Sequence, residues 1–412
     1  MNPNDIYFIH GREYQEMTLR ILEACDLASL IGDTGKSIAL KPNLVTTTPP
    51  EEGATTHPEI LAGVIEYLQA HGFRDITVME SAWVGARTED VFQICYHNRV
   101  CEKYGVPFLD MKKDTYTTYD AAGMDIAVCD RAMAVDFMIN LPVLKGHAQT
   151  KVTCALKNNK GVIPDFEKRR FHTLGLHKPI AHLNTVCKND FILVDNICGD
   201  LDFEEGGNPV VMDRILAFRD PVLCDAFVCE AMGYALADVP YVGLAERLGV
   251  GSADVAAARR IYVNEPGGAV PAPTPDVSAS LYCAGHSAGP DAHIASRNGA
   301  HDAPVPAPWR TSRSSEIMQA PEPAPSRRVA RLAAHTIEDQ ACSACYGALI
   351  HALSRMERAG TLSALKETVC VGQGFQGKSG PCGVGRCTAQ FARSLPGCPP
   401  DAGAIRRFLE AM

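Results

Sequence analysis

The 412-residue chain has no stretch of about 18 consecutive apolar residues, the length that a membrane-crossing helix requires. Its start, MNPNDIYFIHGREYQ, has no basic region ahead of an apolar run, so no secretory leader is read there. The expectation is a cytoplasmic protein with no membrane partner. A cationic surplus is also missing, with 39 Lys and Arg against 48 Asp and Glu and a formal net charge of −9. Binding to nucleic-acid phosphates needs that surplus, so nucleic acid is not an expected partner. Polarity falls short of what whole-chain disorder would need, since 46% of residues are hydrophobic and 21% charged. The chain has a packed interior, and its length suggests two to three domains.

Cysteine is abundant, with 16 residues. Without a leader these do not read as a secreted disulfide framework. Thiols in a reducing compartment point to metal or redox work for some of them, and small buried thiols in the core account for most.

Proline divides the chain. Of its 27 prolines, 11 fall between Pro266 and Pro325, among Ala, Gly and Ser. Such a segment buries too little apolar surface to offset its ordering entropy, so residues 266–330 read as a disordered linker. It separates a domain at 1–265 from a smaller one at 331–412. In the first, strand-like runs (37–44, 75–80, 137–143, 191–197, 215–218, 260–263) alternate with helical ones (58–72, 180–187, 221–232, 241–248). Pro58 stands in the first helix's opening turn and Gly72 at its end. The alternation predicts an α/β fold, a mostly parallel sheet with helices on both faces and sites beyond the carboxyl ends of its strands. The carboxy-terminal domain reads as small, Cys-rich and α+β: a helix at 342–358, a strand at 368–371, a glycine-rich loop, and a last helix opened by Pro399.

The strongest local signal is that domain's cysteine set. Cys342 and Cys345 form a C-x-x-C pair, which brings two thiolates to one metal centre, and four thiolates complete a site. The expected ligands are Cys342, Cys345, Cys387 and Cys398. Cys398 precedes Pro399, and Cys387 follows Gly383 and Gly385, which let backbone amides approach sulfur. Cys382 competes with Cys387, and Cys370 reads as a core residue. These ligand types suit structural zinc and an iron–sulfur cluster alike, and a dithiol redox pair would need a βαβ setting that is missing. The run GQGFQGKS at 372–379 satisfies two phosphate-loop patterns, but Gly380, Pro381 and Gly383 prevent the helix that both require. It reads instead as a loop over the metal site. Gly35-Lys36-Ser37, a second near match, lacks the upstream glycine.

In the first domain, residues 140–170 concentrate Lys145, His147, Lys151, Lys157 and Lys160 beyond a buried strand, in an otherwise acidic chain. That is either a solvated basic face or the place where an anionic small-molecule ligand is held. The anion-binding candidates are Lys41, Asn43, Lys145, Lys157 and Lys160, and the catalytic candidates are Lys145, His147 and the strand-end Asp195. Glu80, Asp165 and Asp225 are further carboxylates able to serve as a base. His172, His177 and His182 recur five apart, which does not suit one helical face.

Several runs, in order, resemble the domain-of-unknown-function 362 family: KPNLV (41–45), ATTHPE (54–59), LKGHAQTKVTCALKNNKGVIPD (144–165), FHTLGLHKPIAHLN (171–184), ILVDNICG (192–199) and DPVLCDAFV (220–228). The closing region, at ACSACYGALIHAL, VGQGFQGKSG and GCPP, resembles the Cys-rich carboxy-terminal region of that family's longer members. The resemblance implies an α/β domain coupled to iron–sulfur binding, and it tilts the choice of cofactor from zinc toward [4Fe–4S]. The chain lacks the C-x-x-C-x-x-C-x-x-x-C-P run of ferredoxin-bearing members. Two expectations result. One is an iron–sulfur oxidoreductase exchanging electrons with an anionic ligand, with an electron-transfer protein as a further partner. The other is a non-redox enzyme, racemase- or hydrolase-like, or a binding protein with structural zinc.

Overall fold

The computed structural model describes residues 1–264, 269–270, 327–341 and 343–412. Cys342 and nearly all of the Pro/Ala-rich stretch, with its expected disorder, lie outside the described residues. In chain order the strands of the first domain are β1 (Asp5–His10), β2 (Ile38–Pro42), β3 (Ile76–Glu80), β4 (Phe108–Asp110), β5 (Tyr116–Asp120), β6 (Asp125–Cys129), β7 (Phe137–Leu141), β8 (Lys145–His147), β9 (Lys151–Thr153), β10 (Phe191–Asp200), β11 (Pro209–Phe218), β12 (Arg259–Tyr262) and β13 (Ala269–Val270). Nine of them form one sheet in the order β13-β12-β1-β11-β10-β7-β2-β3-β4. Every pair from β10 to β4 is parallel. Antiparallel pairing is confined to the two sides of β11 and to the β13 edge.

Alternation along each strand divides the core into two layers. Ile38, Leu40 and Ile139 face the helices Tyr14–Cys25 and Pro58–Ala70, while Ala39, Met138 and Val194 face the helices His177–Leu183, Pro221–Ala231 and Pro240–Arg247. The sheet is thus covered on both faces, as its apolar strands demand. Among the described residues no helix is long and apolar enough to cross a membrane.

Three details differ from expectation. β1, an apolar run in the first ten residues, sits inside the sheet between β12 and β11. β13 extends the sheet into the stretch assigned to the linker, and the helix Arg327–Ala333 begins before residue 331. The last helix runs from Ala402 to Glu410, because Asp401 rather than Pro399 caps it, its Oδ1 accepting from Ala404 N at 2.8 Å.

The small domain is built on β14 (Thr336–Glu338), β15 (Val369–Val371), β16 (Cys382–Val384) and β17 (Arg393–Leu395), in that order and all parallel. A parallel sheet gathers the carboxyl ends of its strands at one edge. Here single 3₁₀ turns, Gln373–Phe375 and Arg386–Thr388, follow β15 and β16 at that edge. Gly372 and Gly385 start these turns at φ of 129° and 92°, which favours glycine. No α-helix follows the GQGFQGKS loop, so it makes no phosphate cradle.

The helix Ser343–Arg358 joins the two domains. The His351 ring stacks on Phe203 with centroids 5.2 Å apart, and His351 Nδ1 hydrogen-bonds Glu205 Oε2 at 3.0 Å. The Arg358 guanidinium donates to the Gly207 carbonyl. Phe203 and Ala148 belong to the small domain's core, so the docking is apolar at its centre.

The β8–β9 hairpin, which carries Lys145 and His147, lies so close to residues 201–202 that a Cβ on Gly146 would fall 2.1 Å from the Leu201 carbonyl oxygen. Gly146→Ala is therefore expected to destabilise the protein by about 1–3 kcal/mol, read as a lowered urea midpoint.

Candidate functional site

Two parallel neighbours, β2 and β3, end on Lys41 and Glu80, which form a fully buried ion pair. The Lys41 ammonium also donates to the Pro42 carbonyl at 3.0 Å and to Asn158 Oδ1 at 3.1 Å, which uses all three of its protons. Asn158 in turn donates to Asn140 Oδ1 and the Lys41 carbonyl, and accepts from Asn43 Nδ2. The network leaves no room beside it: a Cβ on Gly161 would lie 1.8 Å from Glu80 Oε1.

Lys145 is saturated in the same way, donating to Asn43 Oδ1, the Ala54 carbonyl and the Glu204 carbonyl. Desolvation first, and then repulsion from Lys157, push its ammonium down to about 7. His147 Nδ1 accepts from the amides of Gln149 and Thr150 at 3.0 and 3.2 Å. The ring proton therefore sits on Nε2, which faces Glu204 Oε1 at 3.5 Å. With its one lone pair occupied by backbone, His147 positions the Glu204 carboxylate and is not placed to act as a general base. Lys168 is also buried, with its donors on Ser81 and Ala82.

Two cations retain donors. The Lys157 ammonium has one hydrogen bond, to Thr153 Oγ1 at 3.2 Å, and Lys160 meets His172 Nε2 at 3.2 Å. Both are half-buried and line two adjoining cavities of about 80 and 70 Å³, together with Trp83, His172 and Glu204. Desolvation brings Lys157 down to about 8. It also lowers Lys160 and His172, each further depressed by neighbouring lysines. Unbalanced positive charge around a small polar space is the electrostatic arrangement that an anion relieves. The expected anion-binding residues thus divide by hydrogen-bond capacity. Lys41, Asn43 and Lys145 are a satisfied frame, and Lys157 and Lys160 have capacity to give.

Asp195 does not line these cavities. Its Oδ2 accepts from His57 N at 2.7 Å and pairs with His57 Nδ1 at 2.8 Å, and Oδ1 accepts from Ile197 N, all out of solvent. Desolvation opposes a charged His57 ring, but the Asp195 carboxylate and the nearby Cys198 outweigh it and raise the imidazole to about 11. The pair ties the start of the helix Pro58–Ala70 to β10. His177 stacks on Tyr241, and His182 Nδ1 bonds the Ala121 carbonyl, so of the three spaced histidines His172 alone reaches the cavity. Glu204 was the residue hardest to recognise. No motif marks Glu204, which enters from the β10–β11 loop.

Cys345, Cys387 and Cys398 line a separate cavity of about 550 Å³ with Gln376, Arg169 and His172. Each follows the carboxyl end of a strand: Cys345 comes after β14, Cys387 after β16 and Cys398 after β17. Gln376 Nε2 donates to Cys387 Sγ at 3.7 Å, and a Cβ on Gly385 would lie 3.6 Å from Cys345 Sγ. Cys382 points elsewhere, its Sγ meeting Met412 Sδ, and Cys370 is buried in β15. Cys342 is outside the described residues. The cysteine cavity and the lysine cavities share His172 as a wall.

Residues 38–230 match the family model described as Domain of unknown function (DUF362). The α/β domain belongs to the DUF362 family. A thylakoid-associated protein of Synechocystis sp. is 25% identical over 227 residues, which cover 52% of this chain and 69% of that protein. Among solved structures, the lactate racemase apoprotein from Thermoanaerobacterium thermosaccharolyticum aligns with a TM-score of 0.36 at 13% identity. That alignment covers 55% of this chain and 56% of the racemase chain, so the chain spans about half of that protein's length.

The saturated and open lysines of the DUF362 domain should respond differently to substitution. Lys41→Met leaves Glu80 buried without its cation and should cost about 3–5 kcal/mol in denaturant unfolding. Lys160→Gln should leave stability within about 0.5 kcal/mol. The same variant should weaken sulfate binding at least about tenfold by calorimetry. Lysine holds an anion only while protonated, and Lys157 and Lys160 both lie below their ordinary value. Sulfate affinity should therefore fall between pH 7 and pH 9, approaching about tenfold per pH unit for each lysine that takes up a proton on binding.

Proposed function

We propose that this protein is an iron–sulfur oxidoreductase, in which Cys342, Cys345, Cys387 and Cys398 hold a [4Fe–4S] cluster and Lys157, Lys160 and His172 hold a small oxyanionic substrate. One observation carries the reading: His172 lines both the cysteine cavity and the lysine cavities, and Val84 borders the cysteine cavity and one of them, so a cluster and a bound anion would be neighbours across these side chains.

The residues present suit the group. Cys345, Cys387 and Cys398 line one cavity of about 550 Å³, which has the volume for a four-iron cluster, and cysteine thiolates are the ligands such a cluster takes. The amide of Gln376 beside Cys387 is the kind of donor that tunes a cluster's potential. Such a cluster supplies one-electron transfer. The chain's own groups do the rest: Lys157 and Lys160 bind and orient the anion, Glu204, positioned by His147, moves a proton, and Trp83 limits water on one side. Cys398 is exposed, which leaves a side open to an electron-transfer protein.

Purified without oxygen, the protein should be brown, with iron and acid-labile sulfide in equal amounts. Cys345→Ser and Cys387→Ser should each bleach it. A colourless protein with zinc bound at these cysteines would overturn the reading.

A further inference from the structure

The buried core behind the lysine cavities holds a second group of metal-ligating side chains, and it uses no residue of the cysteine cavity. Cys154 precedes the short helix Ala155–Asn158, which carries Lys157 and Asn158. Cys224 and Asp225 are neighbours in the helix Pro221–Ala231. All three side chains are fully buried. The two sulfurs are 3.7 Å apart, and both lie with a carboxylate oxygen of Asp225 within a mutual 4.8 Å. Among the described residues this is the one set of three such ligands so close together.

We infer that Cys154, Cys224 and Asp225 form a buried zinc site, with both Asp225 oxygens or an enclosed water completing four ligands, that fastens the lysine-bearing turn to the helix Pro221–Ala231. Two observations support it. Zinc–thiolate bonds of about 2.3 Å in a tetrahedron put two sulfurs about 3.8 Å apart, close to the spacing already present. Asp225 Oδ1 accepts from Leu156 N at 3.4 Å, but Oδ2 is buried with no hydrogen-bond partner. The Tyr241 hydroxyl has a single proton to share between this carboxylate and the Val152 carbonyl, 3.4 Å away. A buried carboxylate oxygen left unpaired is costly, and a cation removes that cost. Two thiols alone would be ordinary core residues. Two thiols with an orphaned carboxylate oxygen in one cage make a donor set of soft and hard ligands that zinc accepts. Binding releases the two thiol protons to solvent, and the ion enters as the chain folds, since the site has no opening.

The full-length protein, grown with zinc and purified anaerobically, should hold about one zinc per chain that resists dialysis against a weak chelator. X-ray absorption at the zinc edge should show two sulfur neighbours at about 2.3 Å and the remainder oxygen or nitrogen at about 2.0 Å. Asp225→Asn and Cys154→Ala should lower the zinc content at least fivefold and leave iron unchanged, while Cys345→Ser should remove iron and leave zinc. The wild-type spectrum decides the question even if the core variants fail to fold. A shell of four sulfurs, zinc lost with Cys345→Ser, zinc below a tenth per chain, or a Cys154–Cys224 disulfide by mass spectrometry would each overturn the inference. The zinc content and the zinc-edge spectrum do not depend on whether a cluster is present.

Discussion

The buried pair of Lys41 and Glu80 is the constraint on which the site is built. Two charges removed from water are tolerable only when every remaining proton and lone pair finds a partner. Here that requirement recruits the Pro42 carbonyl, Asn158 and, through Asn158, Asn43 and Asn140. The segment from Ala155 to Val162 is thereby held against the carboxyl ends of β2 and β3, with Gly161 in contact where no side chain fits. Lys157 and Lys160 flank that anchored segment. Their ammoniums keep open donors because the acceptors nearby are already in use by Lys41, Lys145 and Lys168.

The same economy links the two domains. The loop between β10 and β11 presents Glu204 to Lys145 and His147, and the next residue, Glu205, to His351 of the small domain. The helix Asp165–Thr173 buries Lys168 on Ser81, and one turn later sets His172 between the lysine and cysteine cavities. Each cavity lies beyond the carboxyl ends of a parallel sheet, where backbone ends and loops leave polar groups to be satisfied. Any displacement of the small domain therefore reaches the lysine cavity through two short segments, without crossing the core.

Much of the first domain was legible. Pro58 and the apolar spacing after it mark a helix, and SIALKPNL and FILVD mark strands, because period and punctuation are local properties. Strand direction was not legible: β11 runs antiparallel because a short loop returns it beside β10, and β1 closes the gap between β11 and β12 from the far end of the chain. Among the candidates, Asn43, Lys145, His147, Lys157, Lys160 and the three described cysteines line cavities; Asn43, Lys145 and His147 have their hydrogen-bonding atoms in use there, and Asp195 lies apart, held by His57. In sequence Lys145, Lys157 and Lys160 are alike, since charge is visible there and hydrogen-bond capacity is not.

The amino-acid sequence by itself determined the alternation of strands and helices, the proline-rich composition after residue 265, the basic stretch after β7 and the spacing of cysteines at the end of the chain, because each depends on neighbours a few residues away. Only the tertiary structure decided which lysines are neutralised frame and which remain open, and that His172 and Glu204 complete the cavity. It also decided that Cys154 and Cys224, 70 residues apart, meet at 3.7 Å. These outcomes depend on which donors and acceptors meet across the sheet, and that is set only when distant segments pack and must satisfy one another out of water.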